Sequence, residues 1–122
     1  MIQISMDTEH SIVTLRPMGA LEKRDFVELG LLVDPHIEAA GKLAGIIVEF
    51  KAFPGWENLG ALAAHVKFVK GHHKKVKKIA AVTDAALGKV AERLGAVFVD
   101  AEIRRFPYGK AAAARNWILG KA

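Results

Sequence analysis

The sequence predicts an α/β domain with a mixed β-sheet, and three observations support this fold class. Two short segments, Leu43–Phe50 and Ile79–Thr83, are almost entirely apolar, which is typical of strands buried on both faces. Segments with apolar residues at helical spacing flank them. Near the start, the polar residues 7–10 connect two further strand-like segments at hairpin length. Strands that alternate with helices favour a parallel or mixed sheet, to which a hairpin adds an antiparallel pair.

The composition indicates a globular chain of one domain. The 122 residues suit a single domain spanning residues 1–122, and 52% of them are apolar while 25% are charged. The chain has no cysteine, which excludes disulfides, thiolate nucleophiles and cysteine-ligated metal sites and suits a reducing compartment. No signal-peptide pattern and no apolar run near the roughly 20 residues of a membrane-spanning helix is present. We therefore expect a cytoplasmic protein without a transmembrane segment.

The first third of the chain predicts two strands and a helix. Ile2–Ser5 and Ser11–Met18 are the strands, and in the second one apolar and polar residues alternate so that one face is apolar. Leu21–Val33 has apolar residues at helical spacing. Asp34 and Pro35 follow, and because proline lacks the backbone donor we expect a kink or a restart there, with Asp34 capping the new turn. Gly41 then ends the helix.

The middle of the chain predicts a strand, a turn and a helix. The strand Leu43–Phe50 leads into the turn Phe53-Pro54-Gly55-Trp56. The next helix ends at Gly71 and carries this apolar stripe: Leu59, Leu62, Ala63, Val66 and Val69.

The last third predicts a strand, a helix, an edge strand and a final helix. Ile79–Thr83 is the strand, and Asp84 caps a third helix that extends to about Phe98. An edge strand across Ala101–Phe106 follows, although a single strand over Val97–Arg104 is an alternative. The final helix covers Lys110–Leu119, with Trp117 and Ile118 on its apolar side.

The order of these segments resembles that of the SpoIIAA-like family in the STAS superfamily, also described as STAS/SEC14-like domains. The resemblance spans nearly the whole chain and depends on the order and spacing of five segments: Gly45–Glu49, Phe53–Trp56, Ile79–Asp84, Ala101–Phe106 and Ala114–Ile118. It implies a mixed sheet of four or five strands with about four helices packed mainly on one face. It also implies a noncatalytic module, in a family whose members are mostly uncharacterised and whose SEC14-like relatives are associated with small apolar ligands.

Two family features are missing from this sequence. Many members carry a tryptophan shortly after the position of Asp84, where this chain has Ala85-Ala86-Leu87. Anti-sigma antagonists of this fold use a phosphorylated serine at the start of the helix after the central strand, where a phosphate meets free N–H groups. The corresponding segment, Lys51–Gly60, has no serine or threonine, so the phosphoswitch is not carried over.

The turn after the third strand is the main candidate binding region. Tryptophan is frequent at binding hot spots, and ligands of open α/β sheets gather at the carboxyl ends of strands. The alternative is that these aromatic side chains only cover the end of the core. The predicted site for a protein partner or a small apolar ligand comprises Phe53, Trp56, Leu59, Leu62 and Val66. An exposed edge strand or apolar helix face also leaves a homodimer open.

A basic segment offers a second, different function. The net charge is +5, and no acidic residue lies between Glu57 and Asp84. Anion or nucleic-acid binding would use this set of lysines: Lys70, Lys74, Lys75, Lys77 and Lys78. Phe68 is the one aromatic residue beside them and no nucleic-acid-binding motif is present, so a solvated rim is the simpler interpretation and nucleic acid is not the favoured partner.

The remaining polar residues predict structural roles. His65, His72 and His73 lack a nearby acidic residue to complete a metal site, so we expect no metal. Glu49, at the end of a buried strand, needs a cationic partner, and Lys51 or Arg16 could supply it. No catalytic triad, Walker loop or dinucleotide fingerprint is present. We therefore expect a binding module that is not an enzyme and has no cofactor.

Overall fold

A computed structural model of the chain describes residues 1–85 and 101–121. It has five strands: β1 (Ile2–Asp7), β2 (Ile12–Pro17), β3 (Leu43–Glu49), β4 (Val76–Val82) and β5 (Glu102–Phe106). The described α-helices are α1 (Lys23–Ala40), α2 (Leu59–His72) and α3 (Ala111–Ile118), and a 3-10 turn covers His73–Lys75. The predicted α/β class is confirmed. The helix predicted after Asp84 falls on residues outside the described part of the chain.

The five strands form one mixed sheet in the order β1-β2-β3-β4-β5. The pair β1–β2 is antiparallel, with Asp7 opposite Ile12 across the predicted hairpin. The pairs β2–β3, β3–β4 and β4–β5 are parallel. Helix α1 connects β2 to β3, and α2 connects β3 to β4. The carboxyl ends of four strands therefore lie at the same edge of the sheet.

Helices pack on both faces of the sheet. On one face, Leu29, Val33 and Ile37 of α1 pack on strand residues such as Val13 and Ile46. Helix α2 lies beside α1 on this face, where Phe68 packs against the same cluster. On the other face α3 covers a separate cluster comprising Ile12, Ile47, Ala80, Val82, Phe106, Ala114 and Ile118. Two of the three described α-helices thus lie on one face.

Helix α1 continues through Pro35, so of the predicted kink or restart at Asp34 the restart is wrong. The helix runs unbroken from Lys23 to Ala40 and ends at Gly41, whose φ of 90° suits glycine. A proline at this position leaves the carbonyl of Leu31 without its helical donor. Leu31 and Pro35 are both exposed, so the missing hydrogen bond lies on the solvent side of the helix. Packing of the buried stripe then holds the helix together.

Helix α2 buries the predicted stripe only in part. Val69 is buried as predicted and Leu62 and Val66 are half-buried, whereas Leu59 at the start of the helix is 83% exposed and Ala61, outside the predicted stripe, is buried. Asn58 caps the helix by accepting a hydrogen bond from the backbone N–H of Ala61 at 2.9 Å. Small residues on its buried side allow α2 to lie close to α1.

Candidate functional site

Backbone hydrogen bonds hold the turn after β3 against the segment that precedes α1. Leu21 donates its N–H to the carbonyl of Gly55, and Glu57 donates to the carbonyl of Leu21, both at 2.8 Å. Gly55 has a φ of 80°, a conformation that glycine adopts without strain. These contacts place Phe53 and Trp56 beside α1 and α2.

Seven rings form a continuous aromatic row from the end of β3 to the far end of α2. Successive contacts join Phe50, Phe53, Trp56, His65, Phe26, Phe68 and His72. Centroid separations range from 3.9 Å for Phe68–His72 to 6.3 Å for Phe26–Phe68. Such pairs are favourable beyond the apolar area they bury. Phe53 and Trp56, which the sequence predicted to form a site together, therefore lie near one end of the aromatic row.

A hydrogen bond inside the aromatic row sets the tautomer of His65. Trp56 donates its Nε1–H to Nδ1 of His65 at 3.0 Å, so the ring proton of neutral His65 lies on Nε2. Phe26 stacks on the same imidazole with centroids 4.7 Å apart. Burial lowers the pKa of His65 to about 4, because the charged form loses its hydration. His65 is thus a neutral acceptor at physiological pH.

The other end of the aromatic row is tied to α1. His72 contacts Asp34 through Nε2 at 2.6 Å and the carbonyl of Phe68 through Nδ1 at 2.7 Å. The sequence predicted that Asp34 caps a new turn of α1. Its side chain bonds to His72 of α2 instead. This pair fixes how α1 and α2 lie next to each other.

An apolar groove lies on the outer side of these two helices. Its volume is about 620 Å³, and its main apolar side chains are Phe26, Val27, Leu31, Pro35 and Phe68. Small residues at three other lining positions leave the space open: Gly30, Ala64 and Gly71. Val27 and Leu31 are 57% and 72% exposed. A groove of this size and chemistry can take a small apolar molecule or an apolar side-chain cluster.

The rim of the groove carries charges of both signs. Lys23 and Lys67 lie on it, as do Asp34 and Glu38. Of these rim residues on α1, Lys23 comes first in the sequence and Asp34 and Glu38 come last. Glu38 lies fifteen positions after Lys23.

The predicted site residues are only partly brought together. Phe53 and Trp56 touch through their rings, with centroids 4.9 Å apart. None of the five predicted site residues lines the groove, which uses α1 and other positions of α2. The sequence analysis did not identify any of the α1 residues that form one side of the groove. A signal was present: Val27 and Leu31 are apolar, one turn apart and off the buried stripe of that helix.

The structure divides the predicted anion-binding lysines into two groups. Lys78 is partly buried against α3, where it donates to the carbonyl of Trp117 at 2.9 Å and lies 4.9 Å from that ring centroid. The other lysines are exposed: Lys70, Lys74, Lys75 and Lys77. Lys78 therefore has a structural partner, while the rest remain accessible to an anion.

Two polar residues at strand ends have structural partners. Arg16 donates its Nε–H to Glu49 at 3.1 Å, which confirms the predicted pairing of this carboxylate. Asp84 accepts from the backbone N–H of Tyr108 at 3.1 Å. Both contacts join neighbouring strand ends at the carboxyl edge of the sheet.

A second polar cluster ties the β1–β2 turn to both helical layers. Asp7 accepts from Arg115 of α3, and this contact is the main reason why the pKa of Asp7 lies well below its usual range. Ser11 donates to the carbonyl of Lys42 at 3.0 Å and lies 2.7 Å from Nε2 of His36. Because the hydroxyl proton is directed at Lys42, His36 acts as the donor to Ser11, and the pair holds the turn in place.

Within residues 1–85 and 101–121, no three histidine, aspartate or glutamate side chains cluster in a way that could hold a metal ion. In the same residues, no helix combines the length and the apolar character needed to cross a membrane.

The mixed sheet of four parallel strands and one antiparallel strand, with helices on both faces, defines the class as an α/β domain. The chain belongs to the SpoIIAA-like family, whose model matches residues 12–119. A similar solved structure is an uncharacterised protein of the DUF3478 family with a SpoIIAA-like fold from Shewanella loihica PV-4. It is 20% identical with a TM-score of 0.70, and the match covers 97% of this chain and 92% of that one. The search of curated proteins found no match.

Proposed function

We propose that this domain is a noncatalytic binding module that takes an apolar group in the groove between α1 and α2. The group belongs either to a small apolar molecule or to a protein partner. The observation that carries the proposal is the groove itself, with about 620 Å³ of space beside exposed Val27 and Leu31. Binding pockets for small molecules commonly have volumes of 300–1,000 Å³ and mostly apolar walls.

The aromatic row connects this groove with the turn after β3. Phe26 and Phe68 line the groove and also belong to the row, which reaches Trp56 through His65. Occupation of the groove would therefore press on the same rings that hold the turn. This supports a binding region that includes both the turn and α2.

The test combines an apolar fluorescent probe with two matched variants. Ala64→Trp fills the groove, since Ala64 lines it, whereas Ala63→Trp adds the same side chain at an exposed position outside it. We expect N-phenyl-1-naphthylamine to bind the wild type and Ala63→Trp, and to bind Ala64→Trp at least about tenfold more weakly, because the lost contacts amount to about 1.4 kcal/mol or more. Equal binding by the two variants would contradict the proposal.

Native mass spectrometry of freshly purified protein distinguishes the two sources of the apolar group. Extra mass that is lost on denaturation identifies a small molecule. A species without extra mass favours a protein partner, and crosslinking from position 31 would then locate it on the groove.

Anion binding by the exposed lysines remains the alternative function. Its support is the accessibility of Lys70, Lys74, Lys75 and Lys77, and its signature would be an affinity that falls steeply with salt. For either function we propose a cytoplasmic location, which the absence of cysteine supports.

A further inference from the structure

We propose that a second copy of this chain covers the groove between α1 and α2, so that two grooves face each other across a two-fold axis. The proposal builds on the groove of the proposed function and names what closes it. The argument comes from the order of charges along the groove and from the residues at its centre.

Charges of opposite sign lie at the two ends of the α1 side of the groove, with Lys23 at its beginning and Glu38 at its end. Phe26 stacks on His65, and Asp34 contacts His72, so α2 runs beside α1 in the same direction. Lys67, two residues after His65, therefore lies near the middle of the groove and at neither end. Asp34 is paired with His72, and Glu38 lies at the far end from Lys23.

This order of charges complements itself when one copy is turned end to end against another. In a two-fold interface, a residue i of one copy that contacts residue j of the other is matched by a contact between residue j of the first copy and residue i of the second. With α1 of one copy turned end to end against α1 of its partner, Lys23 of each copy faces Glu38 of the other. This pair occurs twice, which makes the two surfaces complementary in charge along α1.

The axis falls on the part of the groove best suited to close contact. Lys23 and Glu38 are about 22 Å apart along the helix at 1.5 Å per residue, and their midpoint lies at Gly30 and Leu31. Gly30 has no side chain, and an added Cβ there would be in ordinary van der Waals contact with Asp34, 3.5 Å away, so a methyl-sized group fits over it. Leu31 lies at this centre and is 72% exposed. Leu31 of each copy can therefore enter the space over Gly30 of the other.

A second copy explains why α1 keeps this apolar surface in water. Val27 and Leu31 are 57% and 72% exposed and adjacent on the helix. Burying such side chains is worth about 25 cal/mol for each Å² removed from water. Facing grooves would also form one enclosed apolar chamber from two open ones.

The first part of the experiment measures the mass of the wild type by sedimentation velocity over a concentration series. We expect a monomer–dimer equilibrium. We expect Leu31→Glu to weaken the dimer at least tenfold, since it places a charge at the axis, whereas Leu32→Glu should leave it unchanged. Leu32 is the matched control because it is 48% exposed and does not line the groove. A wild type that stays monomeric, or a dimer that Leu31→Glu leaves intact, would overturn the proposal.

The second part uses charge reversal, which a purely structural effect would not reproduce. Lys23→Glu and Glu38→Lys each place like charges opposite each other, so each variant alone should dimerise about tenfold more weakly than the wild type. A mixture of the two should form heterodimers, because every pair is again of opposite sign. Native mass spectrometry with one isotopically labelled variant detects them. Failure of the mixture to form heterodimers would refute the predicted pairing.

The same variants separate this inference from the proposed function. Monomeric Lys23→Glu is tested with N-phenyl-1-naphthylamine. Probe binding together with a wild type that never dimerises overturns the second copy and leaves the groove as a binding site. A dimer with the expected charge dependence, combined with no probe binding by any variant, supports the second copy and overturns the apolar ligand.

Discussion

The two faces of the sheet use small residues in opposite ways. On the α3 face, Gly45, Ala80 and Ala114 are buried, and Ile118 closes over them. A Cβ added at Gly45 would lie 2.6 Å from the side chain of Ile118, so no space remains. On this face Gly45 must be small because the side chain of Ile118 fills the space beside it, so the packing is tight.

On the other face, small residues leave a groove. Gly30 and Ala64 line the space between α1 and α2, and an added Cβ at Gly30 would meet nothing closer than 3.5 Å. No large side chain from the described residues fills this space. The comparison shows that small residues on packed helices can either bring a helix close to its neighbour or open a surface for something outside the fold.

The largest effect expected from this contrast is at Gly45. Gly45→Ala should lower the free energy of unfolding by about 1–3 kcal/mol, because the new methyl group overlaps Ile118. Gly30→Ala is the matched control in the groove and should raise it by up to about 1 kcal/mol, since alanine favours a helix over glycine. Chemical denaturation measures both values. Equal effects at the two glycines would show that the faces do not differ in packing.

A second test concerns the neutral His65 at the boundary between the turn and the groove. Its pKa falls from 6.5 in the unfolded chain to about 4 in the folded one, so the unfolded chain binds more protons between these values. The free energy of unfolding should therefore fall as the pH drops from 6.5 toward 4, by at most about 1.4 kcal/mol per pH unit from this group.

The variant His65→Gln provides the matching control for this pH dependence. Glutamine does not titrate, and its side-chain oxygen can still accept the N–H of Trp56. Denaturation at several pH values should then show a shallower slope in this window than in the wild type. An unchanged slope would mean that other groups cause the acid sensitivity.

The smallest effect is expected at the start of α2. Leu59→Ala should change the free energy of unfolding by less than about 0.5 kcal/mol, because Leu59 is 83% exposed. Val69→Ala, on the same helix at a position 2% exposed, should cost more than about 1 kcal/mol. A large cost at Leu59 would indicate that the side chain is buried in solution, for example by a partner or a second copy.

The sequence alone determined the fold class, the hairpin and the approximate positions of the five strands. These features depend on local patterns: apolar runs such as Leu43–Phe50, alternation in β2 and the polar turn at residues 7–10. It also predicted that Glu49 would have a cationic partner, because a carboxylate at the end of a buried strand needs one, and Arg16 takes that role.

The tertiary structure decided the features that depend on contacts between parts of the chain that are distant in sequence. The continuity of α1 through Pro35 depends on the packing of its buried stripe, and the buried side of α2 depends on the surface that α1 offers. The groove results from residues far apart in the sequence, such as Leu31 and Phe68, which are 37 positions apart and which only the folded chain brings together. Local periodicity reports whether a residue suits a helix or a strand, but the space between two helices is set by the side chains of both.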